Sequence, residues 1–281
     1  MRRHPARGAT LVECAIALVI SSVLLAAVYA LLLSGWRLAR SQMDLIALRQ
    51  NVRAAAAVLR SELQGVSADA GDLVRMSDSA LALRATRAFG FVCAPPAPGA
   101  VVLDDTTLSA TRAVDPARDS ALVFREGDPL TSDDDTWLHA GVAAVRGGRC
   151  AGGWGGTQLV LTGVSAQALA EVTPGAPVRT FEILEYRLYP DATGLVWFGV
   201  RGPSGAGWGP TSPVAGPLRP LGGLRFRFLD HAGLLAAVPG DVALVEASII
   251  GQGPRTVASP GHGPGSATDS LTIRVAVRGS P

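Results

Sequence analysis

The sequence predicts an α+β fold, in which a long N-terminal α-helix spans a membrane with its first half and packs on a mainly antiparallel β head. Three features predict it. An apolar run occupies residues 9–33, apolar residues then recur at helical spacing up to residue 64, and short strand-like segments follow from about residue 80. The chain has 281 residues and a mean hydropathy of +0.30, which agrees with a membrane segment joined to one sizeable domain.

The composition argues against several classes of function. The formal net charge is only +2, and Arg is scattered among nearly as many Asp and Glu residues, so no nucleic-acid partner is expected. The chain contains no Lys, which removes Walker A loops, Schiff-base lysines and pyridoxal-phosphate anchors. We find no G-x-S-x-G elbow and no HExxH pattern. The sequence therefore predicts neither an enzyme nor a bound cofactor.

Residues 9–33 are long enough to cross a bilayer. As a helix they would extend about 37 Å, more than the roughly 30 Å of a hydrocarbon core. The leader before them, residues 1–8, carries Arg2, Arg3 and Arg7, and this positive charge predicts a cytoplasmic N-terminus. The run exceeds the apolar core of a secretory signal peptide, about 7–15 residues, so a membrane anchor is favoured.

Glu13 is the only charged residue in residues 9–33. A carboxylate at the centre of a membrane helix costs about 2.5–3.5 kcal/mol, so it needs a partner and suggests a function. The alternative is that Glu13 snorkels to the headgroups near the membrane surface.

The segment from Gly8 to Glu13 reads Gly-Ala-Thr-Leu-Val-Glu, and it stands between a basic leader and an apolar helix. It resembles the class III signal of type IV pilins and pseudopilins. The resemblance implies that prepilin peptidase cleaves after Gly8 and that the new terminal amine of Ala9 is methylated. It also implies that Glu13 meets the N-terminal amine of a neighbouring subunit in a filament. Ala9 departs from the large apolar residue that the family usually has after the cut.

Residues 34–65 are predicted to continue the helix beyond the membrane. Residues 9–64 would form a helix of about 84 Å, and Gly65 is suitably placed as its C-cap. The apolar stripe of this segment is either a partner-binding face or, as we favour, the face that packs under the head's sheet. It consists of Leu45, Leu48, Val52, Ala55, Leu59 and Leu63.

Residues 66–281 are predicted to form the β-rich head. A five-residue connection at 190–194, which ends in Gly, predicts a hairpin. Segments rich in Gly, Pro and Ser at 95–99, 202–220 and 251–265 are predicted to be exposed loops. The predicted strands are residues 81–86, 121–125, 158–162, 180–189, 195–201, 224–230, 242–250 and 271–277.

Four segments follow one another within residues 181–279: FEILEYRLYPDATGLVWFGV, LGGLRFRFLDHAG, VALVEASIIGQG and LTIRVAVRG. This succession, which spans most of the range, resembles the heads of minor pilins of the W class and pseudopilins of the J class. The absence of Pro from residues 9–64 also favours a minor pilin or pseudopilin over a major pilin. The resemblance implies a pilin-like head in the periplasm before assembly, and a place at the filament tip or in assembly priming. It implies as partners other pilins or pseudopilins, prepilin peptidase, an inner-membrane assembly platform and membrane lipid.

Cys93 and Cys150 lie in the expected extracytoplasmic head. An isolated pair in an oxidising compartment often forms a disulfide, and two buried free thiols are the alternative. Cys14 falls in the membrane segment, where it is expected to act as a small apolar residue.

The acidic loop of the head is a weak candidate for a Ca²⁺ site. A solvated acidic turn is the favoured interpretation, and the isolated His residues support no other metal. The acidic residues concerned are Asp128, Asp133, Asp134 and Asp135.

Four tryptophans of the head are candidates for contact with a ligand. The favoured interpretation is that each one belongs to the sheet core or anchors a loop. They are Trp137, Trp154, Trp197 and Trp208.

The function that these features predict is structural: a subunit of a type IV pilus or of a type II secretion pseudopilus. Two alternatives stay open. One is a signal-anchored extracytoplasmic enzyme, and the other is an adhesin or ligand-binding head, which is compatible with a filament subunit.

Overall fold

A computed structural model describes residues 10–131, 133–205, 207–259 and 262–278. Its layout is α+β: one long helix, α1 (Leu11–Gln64), packs with its C-terminal part on an antiparallel sheet, as predicted. A short helix, α2 (Ala166–Ala170), and a 3-10 turn (Pro239–Asp241) are the other helical elements of the described residues. The strands are β1 (Leu73–Met76), β2 (Ala80–Phe91), β3 (Ala100–Asp104), β4 (Ser109–Ala110), β5 (Ser120–Arg125), β6 (Thr136–Arg149), β7 (Gly155–Thr162), β8 (Pro177–Pro190), β9 (Val196–Arg201), β10 (Pro203–Ser204), β11 (Gly207–Trp208), β12 (Ser212–Leu218), β13 (Leu224–Leu229), β14 (Leu244–Ser259) and β15 (His262–Ala276).

The main sheet runs in the order β13-β14-β12-β9-β8-β5-β6-β7-β3, with β15 beside β14 and with β2 beside β8. Strands β1 and β4 pair with β2, and β10 pairs with β11 in a separate ribbon. The long strand β8 is central, because one of its edges pairs with β2 while the other pairs with β5 and then with β9. This arrangement brings β2, β5, β6 and β8 into one continuous surface.

Helix α1 extends about 81 Å at 1.5 Å per residue. It begins at Leu11, two residues after the predicted start, because Thr10 is its N-cap. It continues without a break through Gly35. Gly65 is the C-cap, as its position suggested, but with φ of −90° it does not use the left-handed conformation that makes glycine favourable there.

The predicted stripe of α1 packs on the head. Leu48, Val52, Leu59 and Leu63 are buried, and α1 contacts β12, β14 and β15. Leu45 departs from the prediction, since 37% of it is exposed. The covered part of the helix therefore begins close to residue 48, and most of the helix before it projects from the head.

The head contains two groups of buried apolar side chains. The first surrounds the C-terminal part of α1 and includes Leu81, Phe198 and Ile249. The second lies among β3, β5, β6, β7 and β8, and includes Val123 and Leu159. Short helix α2 adds Leu169 to the second group.

All eight predicted strands are present, several of them longer than expected. The hairpin between β8 and β9 is also present, and its turn is closed by Asp191, whose Oδ1 accepts hydrogen bonds from the backbone N of Thr193 and of Leu195 at 2.8 and 3.1 Å. The hydrogen bonds from the Thr193 hydroxyl and the Trp197 indole, together with these two backbone bonds, lower the pKa of Asp191.

Two of the three predicted loops were wrong. Residues 202–220 contain β10, β11 and β12, and the register of β12 shifts beside Pro213 and again before Leu218, which is how a strand accommodates proline. In residues 251–265, β14 and β15 continue to pair as far as Ser259 opposite His262. The sequence did not indicate these strands, because Gly and Pro are frequent in them and strand prediction relies on apolar side chains. The backbone groups can pair without such side chains.

Candidate functional site

The N-terminal end of α1 holds the carboxylate that the sequence singled out. The Thr10 Oγ1 accepts a hydrogen bond from the backbone N of Glu13 at 3.3 Å. In return, the Glu13 Oε2 accepts one from the backbone N of Thr10 at 2.9 Å. The two residues form a capping box, which satisfies two N–H groups that a helix start leaves without partners. In the single chain, Glu13 therefore caps the helix.

The apolar side chains of α1 that follow Glu13 are uncovered. The helix contains a window with a mean hydropathy of 2.7 in which no residue is buried, and it is the one helix of the described residues long and apolar enough to cross a membrane. Exposure continues past this window, since 73% of Trp36 and 68% of Met43 are accessible. An apolar surface of this length needs lipid or other helices as its surroundings. The free Cys14 lies in the same exposed stretch.

The residues of the expected processing site, Gly8 and Ala9, lie outside the described residues. Their roles stay predictions, as does the role of Glu13 in assembly. What the structure adds is the position of Glu13, whose carboxylate binds the backbone of Thr10, the residue that directly follows Ala9.

Comparison with known families gives one match at this end of the chain. Residues 3–29 match the prokaryotic N-terminal methylation motif. The chain therefore carries a type IV pilin-like prepilin signal. Together with the apolar helix, this signal supports a membrane-anchored protein of the pilin-like or pseudopilin type. Comparison with curated proteins and with solved structures gives no match.

Cys93 and Cys150 are joined by a disulfide, with their Cα atoms 5.0 Å apart. The bond links Cys93, two residues after the end of β2, to Cys150, the residue that follows β6. Backbone hydrogen bonds hold both sides, because Cys93 N donates to Val102 O at 2.9 Å and Ala151 N donates to Cys93 O at 3.1 Å.

The acidic loop between β5 and β6 forms a turn that its own carboxylates stabilise. Asp134 Oδ2 accepts a hydrogen bond from Asp128 N at 2.7 Å, and Asp135 Oδ1 accepts one from Gly127 N at 3.1 Å. The Asp133 N donates to Thr131 Oγ1. Across the described parts of the chain, no group of three or more His, Cys, Asp or Glu side chains is placed to hold a metal ion.

The four tryptophans of the head fall into two pairs. Trp197 donates from Nε1 to Asp191 Oδ2 at 2.8 Å, and Trp208 lies under the guanidinium of Arg201, whose Cζ is 5.3 Å from the ring centroid. These two rings anchor local structure. Trp137 and Trp154 are 44% and 49% exposed and are accessible to a ligand.

A charged network at the junction of α1 and the sheet was not predicted. Glu182, in β8, accepts hydrogen bonds from Arg87 Nε at 3.3 Å and from Arg112 Nη2 at 2.9 Å. Arg87 also reaches Glu62 of the helix, at 3.2 Å, and Arg112 binds both oxygens of the buried Asp119. The sequence feature that could have indicated this network is Glu182 itself, a carboxylate at an inward-facing position of an apolar strand.

The network also shapes the surroundings of Tyr186, which lies four residues after Glu182 on the same face of β8. Burial raises the pKa of the Tyr186 hydroxyl, and the nearby negative charge of Glu62 raises it further. Tyr186 stays neutral at physiological pH, so the junction of α1 and the sheet contains a protonated phenol beside paired charges.

Proposed function

We propose that this protein is a structural subunit of a type IV pilus or of a type II secretion pseudopilus, processed after Gly8 by prepilin peptidase. It is inserted through α1 among the helices of its neighbours, as a minor pilin or pseudopilin at the filament tip or in assembly priming. Its head faces the periplasm before assembly, and its leader lies in the cytoplasm.

The observation that carries the proposal is the combination of the methylation motif at residues 3–29 with the exposed apolar surface of α1. A membrane covers that surface before assembly, and neighbouring helices cover it afterwards. The expected partners are therefore other pilins or pseudopilins, prepilin peptidase and the inner-membrane assembly platform. The proposed role is structural and involves no catalysis.

The capping box supports a role for Glu13 at the start of the processed chain. Cleavage after Gly8 would leave the amine of Ala9 one residue before Thr10. In a filament, the same carboxylate would accept the amine of an adjacent subunit, which supplies the partner that a charge in an apolar environment requires.

Processing is tested by the intact mass and N-terminal sequence of the protein extracted from membranes, with and without prepilin peptidase in the native host. We expect a chain that begins at methylated Ala9 only when the peptidase is present. Substitution of Gly8 should block this step. A chain that still begins at Met1 in the host with peptidase would contradict the proposal.

Assembly is tested by comparing Glu13→Gln with Glu13→Ala. Glutamine keeps the capping box, because Gln is as suitable as Glu at this position, but it has no charge. If the charge pairs with a neighbour, both variants should be processed and both should be absent from purified filaments. Ser22→Ala, which changes another polar side chain of the same segment, is the matched control and should assemble. Normal assembly of Glu13→Gln would reduce the role of Glu13 to capping.

A further inference from the structure

A cavity of about 660 Å³ opens on the head, away from the exposed part of α1. Its wall comes from β2, β5, β6 and β8, and its rim from the chain that follows α1 and from Arg278. The volume lies within the range of about 300–1,000 Å³ that is typical of sites for small organic ligands.

The sheet wall of the cavity is built from one cross-strand row. Phe89 is opposite Arg179, Arg179 is opposite Leu122, and Leu122 is opposite His139. Residues paired across antiparallel strands project from the same face, so these four side chains stand side by side. Trp137 lies two residues before His139 and faces the same way.

The aromatic part of this surface is open to solvent. Trp137 and Phe89 line the cavity and are 44% and 38% exposed. The ring of Phe181 lies beneath, with the His139 ring 5.4 Å from its centroid. Burial and the charge of Arg84 lower the pKa of His139, which favours the neutral imidazole. The cavity therefore offers flat apolar surfaces on which a planar ring can stack.

The polar part of the cavity has unused hydrogen-bonding groups. Within the described residues, Arg84 Nε and Thr86 Oγ1 are two of three buried side-chain polar atoms that have no hydrogen-bond partner, and both residues line the cavity. Arg84 donates from Nη1 to Ala70 O at 3.1 Å, and its Cζ lies 5.3 Å from the centroid of Phe181. A buried polar atom without a partner is costly, which makes it a marker of a binding site.

The charge of the cavity is positive. Arg84, Arg179 and Arg278 line it, and among the described residues that line it none is Asp or Glu. Asp72 neutralises Arg179 through a bidentate pair with distances of 2.7 and 2.5 Å. Within the described residues, no carboxylate pairs with Arg84. The guanidinium of Arg84 is therefore available to an anion, which it would bind with a charge-assisted hydrogen bond.

We propose that this cavity binds an aromatic carboxylate, whose ring stacks on Phe89 and whose carboxylate accepts hydrogen bonds from Arg84 Nε and Thr86 Oγ1, which lie on the same strand as Phe89. The head would then recognise a ligand independently of how the helix assembles. Failure of this proposal leaves the proposed filament role untouched, because the cavity lies on the head and Glu13 at the far end of α1.

The experiment is isothermal titration calorimetry of the full chain in phosphatidylcholine nanodiscs, with empty nanodiscs as the blank. The probe is 2-naphthoate, and we expect a Kd on the order of 1 mM or tighter for a ligand of this size. The neutral 2-naphthamide should bind at least about tenfold more weakly, because it lacks the charge that pairs with Arg84. Equal affinity for acid and amide, or no binding of 2-naphthoate up to about 10 mM, would overturn the proposal.

Variants assign the binding to the cavity. Arg84→Ala, Thr86→Val and Phe89→Ala should each weaken 2-naphthoate binding by roughly tenfold. Thr86→Val keeps the shape of the side chain and so tests the hydroxyl even if Arg84→Ala fails to fold. Trp154→Ala, which removes a more exposed ring elsewhere on the head, is the control and should bind as the unaltered chain does. Unchanged binding by Thr86→Val and Phe89→Ala would overturn the assignment.

An aromatic ring and a carboxylate occur together in a free aromatic acid and also at the C-terminus of a peptide that ends in Trp. Titration with acetyl-Ala-Ala-Trp distinguishes these sources. Tighter binding than 2-naphthoate would identify a peptide end as the ligand, and weaker binding would identify a small organic acid. Either order supports the site, provided that the Phe89→Ala variant loses the affinity.

Discussion

Glu182 shows how a single buried side chain joins parts of the head that are far apart in sequence. Its carboxylate is 8% exposed and pairs with Arg87 and Arg112, and Arg118 Nη1 reaches its other oxygen at 3.4 Å. Through Arg87 it is connected to Glu62 of α1. Strand β8, strand β2 and helix α1 therefore meet at one set of charges.

Removing this carboxylate should destabilise the head strongly. Glu182→Ala leaves the half-buried guanidinium groups of Arg87 and Arg112 with fewer partners, and loss of one member of a buried pair costs about 3–5 kcal/mol. Urea unfolding monitored by circular dichroism measures the change. Glu171→Ala is the matched control, because Glu171 pairs with Arg125 while 51% exposed, and such surface pairs are worth about 1 kcal/mol or less. Equal losses for the two variants would contradict the importance of the network.

At the level of single residues, local chemistry was predictable and distant pairing was not. Glu13 stood out because it is the only charge in an apolar run. The charges that Glu182 gathers lie at positions 87, 112 and 118, and no spacing rule connects them to β8 before the strand order is known. The cross-strand row of cavity residues from Phe89 to His139 could not be predicted either, because it also depends on the strand order.

Among the elements, α1 changes its surroundings along its length. Its residues up to about position 46 are largely exposed, whereas those from Leu48 to Leu63 supply one side of the head's core. The periodicity of the sequence indicated the second part correctly. The residue at which the helix passes from exposed to buried could not be predicted from the sequence. It depends on how far β12, β14 and β15 extend along the helix.

The buried part of α1 should tolerate truncation poorly. Leu59 is completely buried, and Leu59→Ala is expected to lower the free energy of unfolding by about 2–5 kcal/mol through lost burial and an unfilled cavity. Leu45→Ala removes the same atoms from a position that is 37% exposed, and it should cost clearly less. Thermal unfolding of both variants in the same nanodiscs provides the comparison. Similar transition temperatures would show that the helix contributes little to the core.

At the scale of the whole molecule, the Cys93–Cys150 disulfide encloses much of the second core. It closes a loop with a sequence separation of 57, which contains β3, β4, β5 and β6. On the chain-entropy relation, a loop of this length stabilises the folded state by about 4 kcal/mol. The double substitution of both cysteines by Ala should lower stability by about that amount. Urea unfolding measures the loss, and an unchanged midpoint would contradict it.

The order of the strands along the chain has a consequence for biogenesis. The buried stripe of α1 is made early, but β14 and β15, which cover it, come from residues 244–276. Contacts between such distant parts of a chain form late, because a large loop must close first. Until the final hairpin has been synthesised, the stripe is an uncovered apolar surface on an incomplete head. Protection of this surface from aggregation during synthesis would therefore matter more to this protein than to one whose helix is covered by neighbouring sequence.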